Sequence, residues 1–146
     1  MRLLFILSLM ILTSVMRAQD PSLQNMPQNQ VDEKEITAVD PDKVRLELAM
    51  DPAAILIDAR MKFEHRRRRI PESVNLPNSM ILNEFAASTS KGRPLYVYCT
   101  TEPRARQAAV LLKKHGFDKV FIIEGGFNKW RAYNLPVVKG RKGRTP

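Results

Sequence analysis

Five short apolar runs stand out along the chain: Ile36 to Val39, Ile55-Leu56-Ile57 ending at Asp58, the brief Val74-Asn75-Leu76 before Pro77, Leu95 to Tyr98, and Val120 to Ile123. Aliphatic and β-branched runs without polar alternation mark strands covered on both faces, as in a mainly parallel sheet. Between them the spacing turns helical. Asp40-Pro41 opens a helix carrying Val44, Leu46, Leu48 and Ala49, with Pro41 suited to the first turn. Met80 to Ala87 makes a second helix. After Cys99, a helix starting near Pro103 carries Ala105, Ala108, Ala109 and Leu112 at i, i+3, i+4 and i+7, and His115-Gly116 stops it. Gly125-Gly126 supplies a turn before a last helix. Strands alternating with helices place the chain in the α/β class.

The ends read differently. Met1-Arg2 precedes an apolar stretch, Leu3 to Leu12, that closes near Val15-Met16-Arg17-Ala18. This is the layout of a secretory signal peptide over 1–18 with cleavage after Ala18, although Met16 stands where a small residue is usual. The run falls short of the ~20 residues of a membrane span, so no stable span is expected after cleavage. An uncleaved anchor is the alternative. Export implies a periplasmic or extracellular protein. Residues 19–31, rich in Gln, Asn and Pro, read as a flexible tether, and 141–146 as a basic tail. The remaining 32–140 is one domain's worth of chain.

Charge sharpens the expected partner. Lys and Arg number 24 against 15 Asp and Glu, a net +9, and loss of Arg2 and Arg17 on cleavage leaves +7. Such a field favours small anionic substrates or surfaces. There is no zinc-finger spacing and no array of aromatics among the basic residues, so nucleic acid is not expected as a partner. Cys99 is the sole cysteine, which excludes an internal disulfide and leaves its thiol without a resolving partner in its own chain.

That thiol stands at the carboxyl end of an apolar strand, where open α/β sheets place their ligands. Loop amides and the positive end of the following helix favour the thiolate, the nucleophilic form. Arg104, five positions on, is placed to fold back and fix the loop or to pair an anion. An inert buried cysteine closing a core strand fits the position equally well.

Several segments, in order, resemble the rhodanese domain family: ILIDAR (Ile55 to Arg60), Glu64, IPESVNLP (Ile70 to Pro77), YVYC with Arg104 and Ala108-Ala109, EGGFNKW (Glu124 to Trp130) and LPV (Leu135 to Val137). The resemblance implies a three-layer sandwich, a five-stranded parallel sheet flanked by helices. It implies that Cys99 takes sulfane sulfur from a donor such as thiosulfate and passes it to cyanide or a thiol-containing acceptor or protein partner. By analogy the loop of Thr100, Thr101, Glu102, Pro103 and Arg104 holds the substrate and steadies the persulfide. No metal or organic cofactor is implied. Asp58 and Arg60 read as structural, Arg60 pairing with an acid such as Glu64. Trp130 reads as core, and His65 and His115 as isolated surface or helix-end residues.

The pattern also has departures. Glu102 stands where the family most often has Gly, and a carboxylate there opposes thiolate formation and repels an anionic donor, so Glu102→Gly is expected to alter thiosulfate turnover. Pro103 removes one amide donor but suits a helix start. Ala105 replaces a common hydroxyl residue. Arg66 to Arg69 occupy the place of a Gly-His pair and read either as an anion-attracting patch or as a solvated loop. A phosphatase needs five residues between Cys and Arg where this loop has four, which disfavours phosphate. A catalytically weak sulfur-binding or partner-binding module is the main alternative.

Overall fold

The structure is a computed structural model that describes residues 33–140; the expected signal peptide, tether and basic tail lie outside the described residues. After a short 3-10 turn the order is β1 (Thr37–Val39), α1 (Pro41–Met50), β2 (Ile55–Asp58), α2 (Lys62–Arg67), β3 (Arg68–Arg69) and β4 (Val74–Asn75). There follow α3 (Ser79–Ser88), β5 (Leu95–Tyr98), α4 (Pro103–Lys114), β6 (Val120–Ile123), α5 (Gly126–Ala132) and β7 (Val138–Lys139). Five strands form an all-parallel sheet in the order β1-β6-β5-β2-β4. No helix among the described residues is long and apolar enough to cross a membrane.

The central runs β2, β5 and β6 became strands because they lose water on both faces. The edge strands β1 and β4, covered on one side only by a neighbour, leave Thr37 and Val74 exposed, contrary to the expectation that every run is buried on both faces. Alternate residues of β5 and of the position after it go to opposite layers: Leu95, Val97 and then Cys99 join Ile55, Ile57, Ala59 and Leu76 beneath α3 and α4, while Tyr96 and Tyr98 join Leu56, Val44, Phe127 and Trp130 beneath α1 and α5. Trp130 is buried as expected, and its indole N–H donates to the Pro136 carbonyl. α1 is capped by the Asp40 carboxylate, which accepts from the Asp42 amide, with Pro41 at its first position. α3 is capped likewise by Asn78, which accepts from Ile81.

Three elements were not expected, α2, β3 and β7. α2 and β3 occupy the charged segment Lys62 to Arg69, and β3 pairs antiparallel with β7, setting Arg68 opposite Lys139. The reason lies two residues past β2. Arg60 folds back on Asp58 and its Nη2 also donates to the Arg68 carbonyl at 2.7 Å, which holds the start of the ribbon against the sheet.

Candidate functional site

Cys99 follows β5 directly and is 4% exposed. The next turn is fastened from one side. The Phe127 amide donates to the Cys99 carbonyl at 2.8 Å, and the Asn128 amide to the Thr100 carbonyl at 3.2 Å. Gly126 (φ +61°) makes this approach possible: a Cβ there would lie 2.5 Å from the Cys99 oxygen and 3.0 Å from those of Thr100 and Thr101. Three successive carbonyls therefore face α5. In a trans peptide the C=O and the following N–H point in opposite directions, and no cis bond occurs here. The amides of Thr100, Thr101 and Glu102 thus face away from α5, and no acceptor among the described residues takes them. Same-directed amides at the head of the twelve-residue α4 make an anion-accepting concavity.

Glu102 does not project into that concavity. Its Oε1 accepts from the Gly125 amide at 2.9 Å and its Oε2 from Arg106 Nη2 at 3.0 Å, so the carboxylate points toward α5 with the loop carbonyls. The Gly125 amide, and then Arg106, hold this carboxyl below the ordinary glutamate range. Arg106 also donates to the Ile36 carbonyl at 3.0 Å. It is therefore Arg106 that fixes the loop, as the i,i+4 spacing from Glu102 could have signalled. Arg104, expected in that part, is exposed. It lines a hollow of about 280 Å³ together with Ala59, Leu76, Pro77, Asn78 and Gln107, and Ala59 and Leu76 share the buried cluster of Cys99. Pro103 begins α4, and Ala105 is fully buried under it.

The expected Arg60–Glu64 pair is replaced by another. Asp58, with no exposed surface, accepts from the Arg60 amide (2.9 Å) and Nε (3.0 Å) at Oδ1, and from Arg60 Nη2 (2.7 Å) and the Tyr98 hydroxyl (2.8 Å) at Oδ2. Arg60 turns to Asp58 because its own amide already closes a tight turn on that carboxylate. Burial, followed by the Asp58 charge, pushes the Tyr98 phenol well above its ordinary range, so it stays a donor. His65, expected to be isolated, has Nδ1 2.9 Å from the same Oδ2. His115 does end α4, with Nε2 2.9 Å from Asn83 Oδ1. Glu64 instead accepts from the Met61 amide at 3.1 Å and from the Thr100 hydroxyl at 3.1 Å, linking α2 to the residue after Cys99. Among the described residues no cluster of His, Cys, Asp and Glu is placed to hold a metal ion.

Comparison with known proteins agrees with this geometry. Residues 40–133 match the Rhodanese-like domain family. A thiosulfate sulfurtransferase GlpE from Pseudomonas savastanoi pv. phaseolicola is 35% identical over 56% of this chain and 76% of its own length. A sulfurtransferase from Allochromatium vinosum is 27% identical over 70% of this chain and 95% of its own. Among solved structures, the rhodanese-like domain of the Anabaena sp. Alr3790 protein superposes with a TM-score of 0.65 at 26% identity, covering 75% of this chain and 83% of that one. With the parallel sheet, the cysteine closing its middle strand, and the glycine turn that fastens the loop, these matches show that the chain belongs to the rhodanese-like domain family.

Proposed function

We propose that this protein is a sulfurtransferase that carries sulfane sulfur on Cys99 between a small anionic donor and a thiol acceptor. The observation that carries the reading is the convergence of three loop carbonyls on Gly126, which leaves the amides of Thr100, Thr101 and Glu102 free for an anion. The Cys99 thiolate attacks the outer sulfur of thiosulfate, the S–S bond breaks, and sulfite leaves with the electron pair. The persulfide anion keeps one negative charge, which the loop amides and the α4 dipole offset. An acceptor thiolate, or cyanide, then attacks the terminal sulfur and Cys99 leaves as thiolate. Arg104, beside the hollow that shares Ala59 and Leu76 with the Cys99 cluster, draws the donor in. With one cysteine in the chain, the sulfur passes to another molecule.

The four residues between Cys99 and Arg104 favour sulfur over a phosphoryl group. The low exposure of Cys99 favours, as the second reading, a module that holds sulfur or a partner with little turnover. Intact-mass measurement after thiosulfate treatment tests both: the expected result is a gain of one sulfur atom on wild type, none on Cys99→Ser, and thiocyanate formation lost in that variant. No added sulfur, with an equal cyanide signal from both proteins, overturns the enzyme reading. The proposal includes export, resting on the apolar N-terminal run, and N-terminal sequencing of protein recovered outside the cytoplasm is expected to begin at Gln19.

A further inference from the structure

Beside the loop, between α2, β3 and α5, lies a cleft of about 410 Å³ lined by Arg60, Phe63, Glu64, Arg67, Arg68, Phe127 and Arg131. Its charges are unbalanced. Arg60 is neutralised by buried Asp58, and its guanidinium lies 4.0 Å from the Phe127 ring centroid. Glu64 is committed to the Met61 amide and the Thr100 hydroxyl. Arg67, Arg68 and Arg131 have no acidic partner among the described residues, nor do the neighbouring Arg66 and Arg69.

The ribbon adds to the imbalance, because Arg68 stands directly opposite Lys139, a cross-strand arrangement that like charges disfavour. An anion in the cleft relieves this repulsion and meets guanidinium donors suited to carboxylate. The cleft has the size of a small-molecule pocket. It is walled by the exposed Phe63 and the buried Phe127. Two of its residues reach the cysteine loop: Glu64 bonds Thr100, and the Phe127 amide bonds the Cys99 carbonyl.

We propose that this cleft binds the carboxylates of the acceptor, so that the protein selects small thiols carrying two carboxylates over neutral thiols. The proposal rests on the sulfurtransferase reading for its consequence, though not for its binding step. Arg67 and Arg131 grip the carboxylates and Phe63 covers the apolar part. The attraction is partly exposed and weakens as salt is added.

Two measurements on the full chain test it. In the first, Cys99→Ser protein is titrated with succinate by calorimetry, alone and with Arg67→Gln and Arg131→Gln added. Binding is expected in Cys99→Ser, weakened on the order of tenfold by the two arginine changes; absent binding, or binding the changes leave alone, overturns the proposal. In the second, the persulfide-bearing enzyme is given mercaptosuccinate or 2-mercaptoethanol. Mercaptosuccinate is expected to have the lower KM, and the ratio of the two values to move toward unity in Arg67→Gln/Arg131→Gln; equal KM values in wild type overturn it. Should wild type take up no sulfur, the sulfurtransferase reading falls and the calorimetric arm still decides the cleft.

Discussion

Replacing Glu102 by alanine is expected to weaken the fold and slow sulfur uptake together, the reverse of what a repelling carboxylate in the loop would produce. Alanine removes the acceptor of the Gly125 amide at 2.9 Å and the partner of Arg106 at 3.0 Å. A hydrogen bond to a charged acceptor contributes about 1.5–3 kcal/mol. With the Glu102 side chain 29% exposed, the lower end applies. The Arg106 pair, 28% and 29% exposed, adds about 0.2–1 kcal/mol. The loss is therefore about 2 kcal/mol, and at about 4 °C per kcal/mol for a domain near 100 residues the midpoint falls by roughly 8 °C. Glu102→Gln keeps an acceptor for Gly125 and is expected to lose about half as much.

The pH dependence separates charge from shape. The folded-state pKa of Glu102 lies below the ordinary 4.5, so its stabilisation is complete above the unfolded value and is lost as pH falls through the folded one. The gap between wild type and Glu102→Gln should narrow over that acid range. Calorimetric melts from neutral to acid pH, with persulfide formation followed by mass, measure both effects. An unchanged midpoint in Glu102→Ala, or faster sulfur uptake, would refute the clasp.

Gly126→Ala places a Cβ against the Cys99 carbonyl at a backbone angle alanine disfavours by about 1–2 kcal/mol. Persulfide formation is expected to fall at least about tenfold while a thiol reagent still titrates Cys99, since a shift of one ångström or less suffices to disturb a reacting geometry; unchanged uptake would show that the carbonyl arrangement does not matter. Glu72 carries a φ of 60° on an exposed turn. Glu72→Gly relieves about 1–2 kcal/mol of left-handed strain against an entropic cost of about 0.5–1 kcal/mol, for a net gain near 1 kcal/mol that a melt a few degrees higher would register.

The central strands were legible because Ile55 to Ile57, Leu95 to Tyr98 and Val120 to Ile123 lose water on both faces, and burial on that scale leaves its mark on composition. Cys99 was legible from its place at the end of such a run. The segment Lys62 to Arg69 was not, since its charged residues have no apolar period and its form depends on Arg60 reaching Arg68 and on strand pairing with Val138–Lys139, some seventy positions away. The direction of Glu102 was hidden for a similar reason, since the amide that donates to its carboxylate belongs to Gly125, 23 residues on. Choosing between Arg104 and Arg106 as the loop's anchor turned on side-chain direction in the first turn of α4, where helical periodicity, read from Glu102, does favour Arg106.

The fastening of the Cys99 loop to α5 also bears on how the site meets its substrate. A free loop of this length would turn its dipoles toward whatever lay nearby and would have to reorient them around each arriving anion. Here the peptide planes of Cys99 to Thr101 are held by Phe127, Asn128 and the bare α-carbon of Gly126. Folding thus does the reorientation once, and every later encounter finds a polar environment already aligned.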